Sequence, residues 1–236
     1  MKIILAINWV NYSNPDKKKH QETAISVLLK NKPQSVMPIT FNYEDESVRV
    51  PNSFFVFKTL HGDSQKDLGN NRRMPYIKEI LDYTSNMPCD IFGYINSDIL
   101  LDRDFFKTFN KNSDAYVFYK KDIEEIDATN FLAGKIKIVS EKPDGVDAFF
   151  FRKQWWNKHK GYFPKGLILG ETEWDTVYNS IIQKISNNYV LKRALHHIAH
   201  DRIWSISSRG AINNMLIWNK IKETCGIPQF IPETKG

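Results

Sequence analysis

No apolar run in this 236-residue sequence reaches the roughly 18 residues that a membrane-spanning helix needs. Cysteine is scarce as well, and the separation of Cys89 from Cys225 fits no metal-binding or redox spacing, which indicates structural thiols in a reducing compartment. The apolar run after Lys2 is broken by Asn8 after about five residues, so it predicts a strand rather than a signal peptide. These absences predict a cytoplasmic protein that is soluble or bound peripherally to a membrane.

A strong charge of one sign is also missing, because 33 lysines and arginines face 27 acids, for a net charge of +6. The basic residues are spread along the chain, and the one dense run, at residues 17–19, is typical of a solvated loop. This surplus is compatible with an anionic nucleotide, a polyanion or an anionic membrane surface. The sequence has no internal repeat, low-complexity tract or clear linker, so we expect one domain spanning residues 1–236.

What is present is an alternation of apolar strands and amphipathic helices. The pattern predicts strand, helix, strand and strand in turn at residues 3–10, 20–29, 35–43 and 53–60. This order favours an α/β fold with a mostly parallel central sheet flanked by helices. A weaker pattern at residues 134–139 predicts a small second sheet or hairpin, and a short helix is expected at residues 102–109.

Residues 89–102 form the stretch around which the chain is organised. An apolar run at residues 91–95 ends in Asn96, Ser97 and Asp98. A continuous apolar run of this length predicts a strand covered on both faces. Because open α/β sheets bind ligands outside the carboxyl ends of their strands, Asp98 is a candidate ligand-binding carboxylate. The alternative is that Asp98 only caps the following turn.

Two arginines precede the helix that is predicted before this strand. Arg72 and Arg73 close a polar loop at residues 61–73, whose length usually accompanies function or mobility. Guanidinium groups bind phosphate through paired hydrogen bonds, so a nucleotide diphosphate is a candidate ligand for this pair. The alternative for these two residues is a surface salt bridge.

An acidic cluster surrounds a tryptophan in the second half of the chain. Glu171, Glu173 and Asp175 flank Trp174, after an apolar segment at residues 167–170 that predicts a strand. The acids either serve the dipole of the following helix or supply a base at the strand-to-helix junction. A carboxylate beside an indole ring is also typical of sugar sites, where the ring packs on the C–H face of a pyranose.

Three histidines fall close together at His196, His197 and His200. If residues 196–201 form a helical turn, His196 lies near His200 and His197 lies near Asp201. Imidazole is the commonest side-chain metal ligand, so we expect at least one of these histidines to have a functional role.

Four segments together carry a resemblance to the GT-A glycosyltransferases, in particular to small single-domain bacterial and viral enzymes. The segments are Asn-Ser-Asp-Ile at residues 96–99, Val-Asp-Ala-Phe-Phe-Phe at 146–151, Gly-Glu-Thr-Glu-Trp-Asp at 170–175 and His-His-Ile-Ala-His-Asp at 196–201. The resemblance covers roughly residues 8–204. It implies a nucleotide-binding half at about residues 1–102 and an acceptor-binding half at about residues 103–236.

In GT-A enzymes a short Asp-x-Asp motif binds a divalent cation, which holds the diphosphate of a nucleotide sugar. The resemblance matches Asp98 to the last acid of that motif and Asn96 to the first, where an amide replaces the acid. It implies manganese, or magnesium, bound by Asp98 and His200, with His197 as the other histidine option. Asn96 would hydrogen-bond the ribose or a metal-bound water.

The same resemblance implies the remaining roles. The base that takes the proton of the acceptor lies in the motif matched by residues 171–175, and Asp175 is favoured over Glu173 because it follows the tryptophan. Asn8 is expected to lie near the nucleobase of the donor. The other expected contacts with donor or acceptor are Arg72, Arg73, Asp147, Glu171, Trp174 and His197. The implied reaction transfers a sugar from a UDP-, GDP- or TDP-sugar to a hydroxyl of a glycan or glycolipid, with no nucleic-acid partner, as in glycan or polysaccharide biosynthesis.

Two other functions remain open from the sequence. A nucleotidyltransferase shares the sheet and the metal chemistry, but it usually has a Gly-rich phosphate loop, and residues 11–19 contain no glycine. A nucleic-acid-binding protein or metal-dependent nuclease is compatible with the positive net charge, the clustered acids and the aromatic and basic stretch at residues 151–159.

Overall fold

The structure, a computed structural model, describes residues 1–47, 50–70, 72–141, 145–200 and 205–225. The strands in these ranges are β1 (Ile3–Ile7), β2 (Val36–Asn42), β3 (Phe55–Lys58), β4 (Ile91–Ile95), β5 (Ile99–Leu100), β6 (Ala115–Ile123), β7 (Ile138–Ser140), β8 (Val146–Arg152) and β9 (Tyr189–Ile198). The helices are α1 (Pro15–Asn31), α2 (Ser64–Leu68), α3 (Ile77–Asn86), α4 (Ala128–Leu132), α5 (Lys153–His159), α6 (Trp174–Ile185) and α7 (Arg209–Cys225). A 3-10 turn at Phe105–Thr108 replaces the short helix predicted at residues 102–109.

These strands form one sheet in the order β3-β2-β1-β4-β8-β6-β9-β5, with β7 paired to the end of β6. Strands β1 to β4 are parallel to one another, as predicted, and β6 is parallel to β9. Strand β8 runs antiparallel to both of its neighbours. The predicted small second sheet does not stand apart, because the short strands β5 and β7 pair with β9 and β6 and extend the same sheet.

Strand β4 lies in the middle of this sheet, and its alternate side chains enter hydrophobic clusters on opposite faces. Phe92, for example, packs edge-on against the ring of Trp156. Gly93 is required next to it, because a Cβ there would lie 2.2 Å from the carbonyl oxygen of Phe149. The strand is therefore buried on both faces, as its sequence predicts, and residues 96–98 emerge at the carboxyl edge of the sheet.

Helix α1 connects β1 to β2 and packs beside the same edge. Asn14 caps it by accepting hydrogen bonds from two backbone N–H groups of the first turn, and Pro15 occupies that turn. The basic run at residues 17–19 is therefore helical and not the loop that the sequence predicts. The side chain of Gln21 bonds both backbone groups of Val10, which fixes the chain that leaves β1.

The histidine segment belongs to strand β9, and the helical turn predicted over residues 196–201 is wrong. Strand β9 pairs with β6 along its length and with β5 at its end, so backbone hydrogen bonds on both sides hold it extended. Because successive residues of a strand face opposite sides of the sheet, His196 and His197 point apart. Asp201, predicted to lie near His197, falls outside the described residues.

Candidate active site

Three side chains of types that can bind a metal ion meet at the carboxyl edge of the sheet. Asp98 follows β4, His197 lies near the end of β9, and His200 lies just beyond that strand. The Oδ2 atom of Asp98 is 3.5 Å from Nε2 of His197 and 3.4 Å from Nε2 of His200, and the two imidazole nitrogens are 3.2 Å apart. One donor atom from each residue lies within 4.8 Å of the others, which is compact enough to surround a single cation.

A second carboxylate orients His197. The Oδ1 atom of Asp122, at the paired position on β6, lies 2.8 Å from Nδ1 of His197. Burial lowers the pKa of His197, but the hydrogen bonds to Asp122 and Asp98 outweigh this effect and raise the pKa to about 9. At neutral pH both nitrogens of this ring are therefore protonated, and a cation bound at Nε2 would displace the proton there, while the Asp122 carboxylate behind Nδ1 is the arrangement found at metal-binding histidines.

Asp98 is held in its ionised form. Burial raises its pKa, but the hydrogen bonds and the positive charge of His197 and His200 outweigh burial and hold the pKa well below its usual range. Tyr12, in the chain that leaves β1, lines the same cleft, and burial followed by the negative charge of Asp98 raises the pKa of its hydroxyl. The edge of the sheet therefore presents a carboxylate in the protonation state that binds cations.

A cleft of about 1020 Å³ opens over this cluster. The structure brings all of the predicted site residues to its walls: Asn8, Arg72, Arg73, Asn96, Asp98, Asp147, Glu171, Glu173, Trp174, Asp175, His197 and His200. The sequence analysis did not single out four other residues that line the same cleft, namely Tyr12, His20, Lys120 and Asp122. The cleft thus joins elements from the start, the middle and the end of the described chain.

Asn96 is bound to Asp147 across the pair of strands β4 and β8. Its Nδ2 donates a hydrogen bond to Oδ1 of Asp147 at 2.6 Å. Burial raises the pKa of Asp147, and the Oδ2 atom of this residue is buried without a hydrogen-bond partner in the described part of the chain. An aspartate at position 96 would set two carboxylates against each other, so the amide suits this position better than the acid of the Asp-x-Asp motif.

Asp175 lies in the first turn of α6 and has the character of a base. Burial raises its pKa to about 6, although the backbone N–H groups that it accepts, including that of Val146 at 2.8 Å, oppose the shift. Glu173, which directly precedes α6, has a φ angle of 68°, a left-handed conformation that residues other than glycine rarely adopt. Backbone strain of this kind clusters at functional sites.

Glu171 and Arg72 form an ion pair in another wall of the cleft. The Nη2 atom of Arg72 lies 3.2 Å from Oε1 of Glu171, which also accepts from Asn70, while Oε2 accepts from Ser208 at 2.8 Å. The side chain of Glu171 is 2% exposed, whereas 36% of the Arg72 side chain is exposed. Glu171 is therefore engaged within the protein and positions Arg72.

The strand predicted at residues 167–170 is only an isolated bridge.

Arg73 is less available to a ligand than Arg72. Its Nε lies 2.8 Å from Asp63 and its Nη1 lies 2.7 Å from Asp45. Its guanidinium also stacks over the ring of Tyr43, 3.7 Å from the centroid. The salt-bridge alternative therefore describes Arg73, and Arg72 is the better candidate for the predicted phosphate contact.

Two predicted candidates are placed otherwise than expected. Trp174 is 5% exposed and packs edge-on against Tyr94 and Phe149, so most of its ring is engaged within the protein. His196 packs against the ring of Phe131 on the opposite side of β9 from His197. Both side chains are part of the hydrophobic packing that supports the cleft.

The four missed residues carry different signals in the sequence. Lys120 and Asp122 alternate at the end of the strand beside β9, a pattern that places both on one face and could have revealed them. His20 stacks on His200 with ring centroids 5.7 Å apart, a contact that arises only when α1 folds against the end of β9. Tyr12 lies in an irregular segment without periodicity.

No protein-family model matches the chain, and no curated protein matches its sequence. Its structure is similar to residues 1–349 of S. aureus TarS in complex with UDP-GlcNAc, with a TM-score of 0.54, 14% identity and coverage of 85% of this chain and 59% of that chain. A second structure of TarS residues 1–349 has a TM-score of 0.49 and 13% identity, and the match covers 84% of this chain and 60% of that chain. For a candidate nucleotide-diphospho-sugar transferase from Desulfovibrio desulfuricans G20, the TM-score is 0.49 and the identity 11%, and the match covers 94% of this chain and 97% of that chain. The chain spans about three-fifths of the length of the TarS structure. The structural similarity confirms the predicted GT-A-like α/β fold.

Proposed function

We propose that this chain is a glycosyltransferase that moves a sugar from a nucleoside-diphosphate sugar to a hydroxyl of a glycan or glycolipid. The observation that carries the proposal is the cluster of Asp98, His197 and His200 at the ligand-binding edge of a GT-A-like sheet, inside a cleft that also contains Asp175. The UDP-GlcNAc bound to the similar TarS structure supports a nucleotide-sugar donor.

The cluster fits a divalent cation. Asp98 supplies a carboxylate oxygen and the two histidines supply imidazole nitrogens, a mixed set that suits manganese better than magnesium. Asp122 supports His197 from behind, as in known metal sites. The cation held by these residues would supply neutralisation of the charge that develops on the departing diphosphate.

The donor would lie along the wall formed by Asn8, Tyr12 and Arg72. The exposed part of the Arg72 guanidinium offers N–H donors to the diphosphate, while Glu171 holds its position. Asn8 and Tyr12 lie beside the end of β1, where the nucleoside would be bound. The Oδ2 atom of Asp147, which has no partner among the described residues, would accept a hydrogen bond from a sugar hydroxyl.

Asp175 would act as the general base. The acceptor hydroxyl transfers its proton to the Asp175 carboxylate while its oxygen forms a bond to the anomeric carbon, and the bond from that carbon to the phosphate oxygen breaks. The electron pair leaves with the nucleoside diphosphate. A pKa of about 6 leaves the carboxylate ionised at neutral pH yet more basic than an ordinary aspartate. Glu173 is the second candidate for this role.

Donor hydrolysis and transfer by purified protein, measured with a panel of nucleotide sugars and manganese, test the proposal. Asp98→Ala should lower the rate by about 100-fold or more, because the cation loses its carboxylate. Asp104→Ala is the matched control, since Asp104 is exposed and pairs only with Lys107 in the described part of the chain. Full activity in Asp98→Ala removes the proposal, and unchanged manganese affinity in His200→Ala removes the histidine from the metal site.

A further inference from the structure

Helix α7 carries an apolar face that the described chain leaves uncovered. Ile212, Met215 and Leu216 are 47%, 42% and 64% exposed, and Ile206 in the preceding turn is 68% exposed. Their spacing places the three helical residues on one side of α7, while Ala211, Asn214 and Trp218 on the other side are buried. Contiguous exposed apolar residues of this kind mark an interaction surface rather than a solvated one.

A basic rim surrounds this face. Arg209 begins α7, and its Nη1 donates to the carbonyl oxygen of Leu68 at the end of α2. Lys165 is exposed. Its segment lies beside α7, because the carbonyl oxygen of the neighbouring Gly166 accepts a hydrogen bond from Asn213. Lys220 and Lys222 follow on α7 itself, and Glu223 is the only acid in this helix. The charge around the apolar face is therefore positive.

The face is joined to the cleft. Ser208, in the turn before α7, donates to Oε2 of Glu171, which holds Arg72 in the cleft wall. Gly210 packs on the Glu171 side chain, since a Cβ there would lie 2.8 Å from its Cγ. The start of α7 is thus in direct contact with a residue of the cleft wall.

We infer that this face docks on an anionic membrane. Apolar residues flanked by lysine and arginine are the composition with which helices lie in the headgroup region, where basic residues pair with anionic lipid. No helix among the described residues has both the length and the apolar character that crossing a bilayer requires. Resting on the proposed function, the inference assigns the acceptor to the lipid-linked class, presented by the surface beside the Glu171 wall.

Co-sedimentation with vesicles, in the absence of any sugar nucleotide, tests the docking independently of catalysis. The protein should bind vesicles of mixed phosphatidylcholine and phosphatidylserine and should bind pure phosphatidylcholine far more weakly. Substituting Ile212, Met215 and Leu216 with serine should lower partitioning by about tenfold or more. Lys165→Glu together with Lys220→Glu should weaken binding at low salt, and the remaining binding should depend less on salt than that of the intact protein.

The matched control is the pair Ile138→Ser and Val139→Ser on β7. These residues are similarly exposed, at 42% and 49%, but the ion pairs Lys137–Glu124 and Lys121–Glu141 balance the charge around them. Their substitution should leave vesicle binding unchanged. Failure of the intact protein to bind anionic vesicles overturns the inference, as does equal binding by the triple serine variant. A dimer that the triple variant abolishes in sedimentation velocity would instead assign the face to a second copy.

Discussion

At the scale of single residues, position 96 shows how a chain departs from a motif without losing the arrangement around it. Asn96 donates a hydrogen bond to Asp147, and an acid at position 96 would be repelled by that carboxylate. Asp98 and the two histidines form their cluster without a contribution from Asn96. The sequence pointed to Asp98 because an acid follows a buried strand, whereas His200, with His197 as the other option, was assigned to the cation through the resemblance to GT-A enzymes. Sequence reasoning missed His20, because the contact with His200 is made by tertiary packing alone.

Asp175 provides a prediction that separates stability from activity. Its pKa of about 6 in the folded chain exceeds the ordinary value of an unfolded aspartate, so the folded state is destabilised as pH rises from about 4 through 6 and remains so above. Asp175→Asn should therefore raise stability at pH 7 by about 1–2 kcal/mol, discounted for partial exposure, and should change it little below about pH 4. Urea unfolding at the two pH values measures this effect.

The same residue sets a pH dependence of catalysis. If Asp175 is the base, kcat/KM falls about tenfold per pH unit below about pH 6, because the protonated carboxyl cannot accept a proton. Asp175→Asn should remove most of the activity at every pH. Glu173→Gln is the control, and its kcat/KM should still decrease below about pH 6. If that decrease disappears in Glu173→Gln and Asp175→Asn stays active, Glu173 and not Asp175 is the base.

At the scale of elements, strand β9 shows where sequence patterns mislead. Three histidines within five residues suit a helical turn equally well, and nothing local excludes it. The extended form wins because β6 on one side and β5 on the other supply backbone hydrogen bonds along the segment. Strands β1 and β4 were predicted correctly, because their apolar runs are continuous and are buried on both faces.

The start of α6 yields a prediction about backbone strain. Glu173 adopts a φ of 68°, and a side chain in this conformation costs about 1 kcal/mol or more, a penalty from which glycine is free. Glu173→Gly should therefore be more stable than Glu173→Ala by about 1 kcal/mol, measured by chemical denaturation. Equal stability of the two variants would show that the left-handed conformation is absent in solution.

At the scale of the whole molecule, one sheet joins the two halves that the sequence assigned to donor and acceptor. Strand β4, from the first half, pairs with β8 from the second, and the cluster around Phe92 also includes Phe149, Trp156 and Trp174. A fragment of residues 1–102 would expose that side of β4 and lose its pairing edge. It should lack cooperative unfolding and dispersed amide resonances, whereas a folded fragment would show that the halves are independent domains.

The central claim is that a cation bound by Asp98, His197 and His200 holds a sugar nucleotide's diphosphate in the cleft. A thermal-shift panel of UDP, GDP, CDP and TDP, each with and without manganese, measures this most directly, because a ligand that binds only the folded chain raises its Tm. The account predicts that at least one nucleotide raises the Tm when manganese is present, and that Asp98→Ala abolishes this increase while Asp104→Ala retains it. No shift with any nucleotide, or an equal shift in Asp98→Ala, would contradict it.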